Sequence, residues 1–160
     1  MKRILIALDF DPSALKIAKA GYSLAKALKA QIILLHVTSE VSYYSSLNYS
    51  PIVGFGIFSN ENIIEKDAEI ESKNLAQNFL DNCKEKLADE TIQTVVENGD
   101  FAESILAVAS EYHADMIVMG TQGRNGFKKM LLGNVAEKVL HHSSIPLYIV
   151  PVQQEKLSVA

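Results

Sequence analysis

A chain of 160 residues, 48% hydrophobic and 21% charged, suits one α/β core and is too short for two independent ones. A net charge of −4 argues against a general nucleic-acid or anionic-membrane surface, and no apolar run approaches the roughly 20 residues that cross a bilayer. The apolar run after Met1-Lys2-Arg3 stops at Asp9, too short for a signal-peptide core, and a single cysteine, Cys83, forms no internal disulfide, which fits a reducing cytoplasm.

Strand-like runs alternate with helical patterns along the chain, the pattern of a parallel sheet covered on both faces. Ile4 to Leu8 is the first predicted strand. Asp11-Pro12 then reads as a helix start, with Asp11 as N-cap and proline at the first helical position, where its missing N–H costs nothing. Leu15, Ala18, Tyr22, Ala25 and Leu28 are the face expected to pack on the sheet. Ile32 to Val37 is the second strand. The stretch 38–60 has neither period, and an irregular insert of that length in a small domain is a functional loop, an interface segment or a disordered one. Its Tyr43, Tyr44, Tyr49 and Phe55 are residue types enriched at interfaces, so it is expected to fold over a ligand or meet a protein partner.

From Asn62 to about Ala88 the pattern is helical, with Ala68, Leu75, Phe79, Cys83 and Leu87 on one stripe, which makes Cys83 a packing residue. Ile92 to Glu97 is the third strand, ended by Asn98-Gly99. Asp100 with Glu103 resembles a capping box for a helix running to about Tyr112. Met116 to Met119 is the fourth strand and Leu147 to Val150 the fifth. Pro146 and Pro151 bracket the fifth, as suits a sheet edge. Fraying is expected from Val152, with 153–160 a tail. The whole reads as one open, doubly wound, five-stranded parallel sheet of Rossmann-like type, strand order 3-2-1-4-5, over residues 1–152. In such sheets ligands sit beyond the carboxyl ends of the strands, where the winding reverses. Asp9, Val37 and Gly120 lie at such ends.

Gly120, Gly123 and Gly133, followed at once by Asn134, turn the end of the fourth strand into a loop and then a helix. Glycine lets backbone amides approach a ligand, and a helix start offers unpaired N–H groups and a positive dipole end to an anion. Amides near Gly123 and at Gly133, Asn134 and Val135 are candidates for phosphate oxygens, with Arg124, Lys128 and Lys129 adding positive potential. The plainer alternative is that the glycines only make turns and a helix cap.

Glycine, two residues, glycine, nine residues, glycine and a small polar residue is the signature of the universal stress protein family's nucleotide-binding branch, which this chain resembles from Arg3 to about Pro151. The resemblance implies an ATP-binding stress-response protein, with ATP, ADP or AMP as ligand and Mg²⁺ on the phosphates. It places Asp9 beside adenine and ribose, the Val37 backbone at the adenine edge, and Ala7, Leu8 and Met119 around the pocket. It further implies a homodimer paired through Leu147 to Val150. Phe10 and Asp11 depart from the glycine and serine that often follow the aspartate, which leaves adenine contact open at Phe10.

Other chemistries lack their motifs. There is no G-x-x-x-x-G-K-[ST] loop, no G-x-G-x-x-G after the first strand and no G-x-S-x-G elbow. A phosphoacceptor receiver domain would use Asp9, Asp11 and Asp100, but Pro151 stands where its lysine belongs. His36 reads as a core or strand-end residue, His113 precedes a strand, and His141 and His142 suit a helix C-terminus; none pairs at metal-ligand spacing. No general base or nucleophile is identifiable, so no catalytic residue is assigned. Slow ATP hydrolysis and a nucleotide-free dimeric adaptor stand as alternatives.

Overall fold

Ile4, Leu5 and Ile6 are all buried although their side chains alternate between faces, so the first strand must be covered on both sides. A computed structural model describes residues 1–39, 61–121 and 132–152, residues 61–66 as backbone only. Among them the strands are β1 (Arg3–Ala7), β2 (Gln31–Thr38), β3 (Gln93–Asn98), β4 (Met116–Gly120) and β5 (Leu147–Val150). They alternate with α1 (Ala14–Ala27), α2 (Glu61–Leu87), α3 (Phe101–Glu111) and α4 (Asn134–His142). The sheet order is β3-β2-β1-β4-β5, every pairing parallel, as expected. The predicted insert starts too early: Thr38 still pairs with Asn98 in the ladder. Residues 40–60, with the four aromatic residues singled out above, lie outside the described residues.

Two apolar clusters line the two faces. Ile4, Ile6, Leu8, Ile32 and Leu34 pack under α1 and α2, through Ile17, Ala18 and Ala25 of the first and Leu80, Cys83 and Leu87 of the second. Leu5, Ile33, Leu35, Val37, Ile117 and Met119 pack under α3 and α4, through Ile105, Val108, Ala109, Ala136 and Val139. Since α1 follows β1 on one face and α4 follows β4 on the other, the winding reverses between these neighbouring strands.

Three helix readings need correction. The N-cap of α1 is Ser13 rather than Asp11; the Asp11 carboxylate instead accepts from the Ser13 N–H (2.8 Å) and hydroxyl (2.6 Å), an Asx-type turn one step earlier. The buried face of α1 is Ala14, Ile17, Ala18, Gly21 and Ala25, while Leu28 is exposed at its end, because the helix sets its smallest residues against the sheet. On α2 the buried stripe runs through Ala68, Ala76, Leu80, Cys83 and Leu87; Leu75 is 58% exposed and Phe79 half-buried. Burial pushes the Cys83 thiol up from its ordinary value, which suits a packing role.

The turn after α2 holds the one buried carboxylate among the described residues. Asp89 Oδ1 accepts from the Thr91 N–H (3.0 Å) and hydroxyl (2.5 Å), and Lys26 Nζ of α1 lies 2.6 Å from Oδ2. The Lys26 ammonium, then the Thr91 donors, hold the Asp89 carboxyl well below the usual carboxylate range.

Candidate functional site

The carboxyl edge at the β1/β4 reversal gathers most of the described candidates. Leu8 continues β1 by donating to Leu35 O at 2.8 Å, and the chain then turns away at Asp9. Asp9 Oδ1 accepts the Phe10 N–H at 2.8 Å, which fixes the carboxylate at the mouth of the crevice; Oδ2 has no hydrogen-bond partner among the described residues. The Leu8 carbonyl accepts from His36 Nδ1 at 2.8 Å, so His36 carries its proton on that nitrogen. Leu8 therefore has both peptide groups engaged and its side chain in the core, while Ala7 and Met119 pack toward α3 and α4.

Val37 gains meaning from its neighbours' hydrogen bonds. Leu35 O faces β1, and Thr38 O faces β3, where it accepts from Gly99 N at 2.9 Å. Alternation along the strand then turns the Val37 peptide groups toward the side where β1 has ended. They face the side beyond the end of β1, at the level where Asp9 leaves the sheet.

Phe10, the departure from the family pattern, lies on the opposite face. Its ring centroid is 4.8 Å from that of Phe79 on α2 and 6.1 Å from that of His36, with His36 and Phe79 edge-to-face at 5.4 Å. Phe79 packs with the α1/α2 cluster, whereas Val37, Val135 and Ala136 belong to the α3/α4 side. The Phe10 ring thus covers the α1/α2 layer, on the face opposite the Val37 side chain.

At the other wall, β4 runs out through Gly120 into Thr121, and α4 begins at Asn134 behind Gly133, its N-cap, in extended conformation. Gly133 has no side chain to cap this helix, and among the described residues the first-turn amides of Asn134, Val135 and Ala136 are its orphan donors. Gly133 differs from expectation: its N–H donates to Thr121 O, so it braces the loop base and is not available to a phosphate. Gly120 has a packing reason, since a Cβ there would stand 2.6 Å from Ile17 Cδ1 and 3.2 Å from Val152 Cγ2. Gly123, Arg124, Lys128 and Lys129 lie outside the described residues. Thr121 escaped the sequence reading because its part is played by hydrogen bonds to distant segments, which no local spacing encodes. Asp100, the receiver-domain candidate, is the N-cap of α3: it accepts from Glu103 N at 3.0 Å and pairs with Lys138 of α4 at 3.1 Å. No group of three or more His, Cys, Asp or Glu side chains among the described residues could hold a metal ion.

A parallel sheet of order β3-β2-β1-β4-β5, with helices on both faces, defines a doubly wound α/β protein, the class in which clefts form beyond the carboxyl strand ends at the winding reversal. The sequence profile described as Universal stress protein family matches residues 1–151, and the chain belongs to that family of stress-response proteins. It is 33% identical over 150 residues to universal stress protein YxiE of Bacillus subtilis, covering 92% of this chain and 97% of that one. It is 32% identical over 154 residues to universal stress protein MJ0577 of Methanocaldococcus jannaschii, covering 93% and 94%. The solved structure of MJ0577 superposes with a TM-score of 0.73 at 27% identity, covering 96% of this chain and 97% of that one. A universal stress protein solved in complex with cAMP shares the fold at a TM-score of 0.58 and 18% identity, covering 94% and 96%. No helix among the described residues is long and apolar enough to cross a membrane.

Proposed function

We propose that this chain is a cytoplasmic regulatory protein that binds ATP, or ADP or AMP, in the crevice between β1 and β4. The observation that carries this is that three unlike donors and acceptors lie at carboxyl strand ends around one winding reversal: the Asp9 carboxylate after β1, the outward Val37 peptide edge of β2 and the first turn of α4 after β4. Asp9 accepts from the ribose or base, Val37 pairs with the adenine edge, and the amides of Asn134 and Val135 meet phosphate oxygens. Gly123 and Arg124 complete the phosphate side, and Met119 and Ala7 the wall. That a fold relative was solved with cAMP, an adenine nucleotide, supports the ligand class. The described carboxylates do not cluster, so a magnesium ion would be held chiefly by the phosphates themselves. The reading is binding, with slow ATP hydrolysis kept as the alternative. Nucleotide released by denaturing the purified protein is identified, then ATP and AMP are titrated calorimetrically; absence of binding at millimolar nucleotide would overturn the proposal.

We propose also that β5 pairs with its twin in a homodimer. It is the sheet edge, and Ile117 N and Thr121 N donate to Pro146 O and Val150 O, so the peptide groups of Leu147 and Ile149 point away from β4. An open apolar edge of that kind needs covering. Ile149→Pro removes an outward N–H without touching the β4 ladder; light scattering should show a dimer for the unaltered chain and a monomer for the variant. A partner on the insert remains part of the proposal, testable by protease protection of that segment.

A further inference from the structure

Thr121 makes three hydrogen bonds to three residues. Its N–H donates to Val150 O of β5 at 3.1 Å, its carbonyl accepts from Gly133 N–H, and its hydroxyl oxygen accepts from Val152 N–H at 3.0 Å. Val152 is the first residue beyond β5 able to donate, since Pro151 has no N–H. The sequence reading expected fraying here. Instead Pro151 O accepts from Lys16 Nζ at 3.1 Å, and the Val152 side chain lies on the bare face of Gly120.

From these contacts we infer that Thr121 is a positioning residue for the nucleotide site: held by Val150 and Val152, it fixes Gly133 and so aims the first-turn amides of α4. The inference rests on the proposed nucleotide reading and deepens it. Gly133 is the N-cap, and the direction of the amides that follow is set by where it is anchored. Its anchor is a carbonyl, and a carbonyl can be no better placed than the residue that carries it. Thr121 lies just past the end of β4, where the ladder has only its N–H bond to Val150 left to offer. The hydroxyl bond to Val152 supplies a second, independent restraint on a β-branched side chain with few rotamers. Preorganised amides serve an anion without reorganisation, so the loss of this restraint falls on the phosphate end of the ligand and spares the adenine end at Asp9 and Val37.

The test compares ATP with adenosine by calorimetry in the unaltered chain, Thr121→Val, Thr121→Ser and Val152→Pro. Thr121→Val deletes the hydroxyl; Val152→Pro deletes its partner N–H and leaves Thr121 intact. Both should weaken ATP binding about three- to tenfold, the worth of one ordinary hydrogen bond, with adenosine affinity unchanged and Thr121→Ser binding as the unaltered chain does. If Val152→Pro binds ATP normally while Thr121→Val does not, the hydroxyl touches the ligand itself and the positioning role is overturned. Equal losses for ATP and adenosine would also overturn it, since that marks general damage. Failure of the unaltered chain to bind any adenine nucleotide would overturn the functional proposal itself, and this inference with it.

Discussion

Gly21 lies directly beneath Ile6: a Cβ on Gly21 would stand 2.6 Å from Ile6 Cδ1 and 2.9 Å from Cγ1, with Val118 Cγ1 at 3.3 Å. The contact lets α1 settle onto β1 and β4 at the strands that flank the crevice. Alanine would gain about 1 kcal/mol in helix propensity and lose about 1–3 kcal/mol to overpacking of a buried isoleucine. We expect Gly21→Ala to destabilise by about 1 kcal/mol net, read as a lowered denaturant midpoint at unchanged slope. A neutral or stabilising result would mean that Ile6 repacks freely.

The first three helices end in the left-handed region without glycine. Lys29, Ala88 and His113 have φ of 52°, 53° and 52°, each just past a helix and each donating back into its last turn. Left-handed backbone costs an L-residue about 1–2 kcal/mol, part of which glycine would forfeit through its more flexible unfolded chain. Ala88 is exposed, so Ala88→Gly should raise stability by about 0.5–1 kcal/mol in chemical denaturation. A fall in stability would contradict this.

Asp89 gives stability a defined acid dependence. Its folded-state pKa lies below its unfolded value, so its contribution is fully present above about pH 4, and is lost as pH falls through the folded value. Asp89→Asn removes the charge that pairs with Lys26. The variant should melt below the unaltered chain at pH 7, and the gap should shrink steadily below about pH 4. A gap independent of pH would assign the loss to packing instead.

At the crevice, Asp9 serves both its own turn and the proposed ligand. Asp9→Ala deletes the acceptor for Phe10 N–H along with the ligand contact, whereas Asp9→Asn keeps an acceptor for the turn and removes the charge. ATP affinity should fall by about tenfold or more for alanine and by less for asparagine, since hydrogen bonds to a charged group contribute about 1.5–3 kcal/mol. Calorimetry on both variants checks the order; equal affinity in all three proteins would remove Asp9 from the site.

The legible parts of this fold are those encoded by local pattern. Ile4 to Leu8 and Leu147 to Val150 announce strands because apolar runs end at turn residues, and Asp100 announces a helix because a cap and its amide are three residues apart. Which face of a helix is buried was harder: Leu15 and Tyr22 are larger apolar residues of α1, yet the sheet takes Ala14, Ala18, Gly21 and Ala25 around Ile17, since close approach favours small side chains. The same limit applied to the glycines. Spacing marks Gly120 and Gly133 as a pair, but that one meets Ile17 and the other is tied to Thr121 depends on residues far away in the chain. Phe10 could be placed only once Phe79, from a helix dozens of residues later, was beside it.

The bond between Gly133 and Thr121 is a stem that joins the start of α4 to the end of β4. Closing a loop costs entropy that grows only slowly with its length, and here that cost is met at the stem by contacts owed to the fold rather than to the loop. Both ends of this stem are held by contacts of their own, Thr121 by Val150 and Val152 and Gly133 by Glu137 N–H on its carbonyl. Strand, helix and sheet edge therefore meet at one residue, Thr121, and a change there is felt in all three.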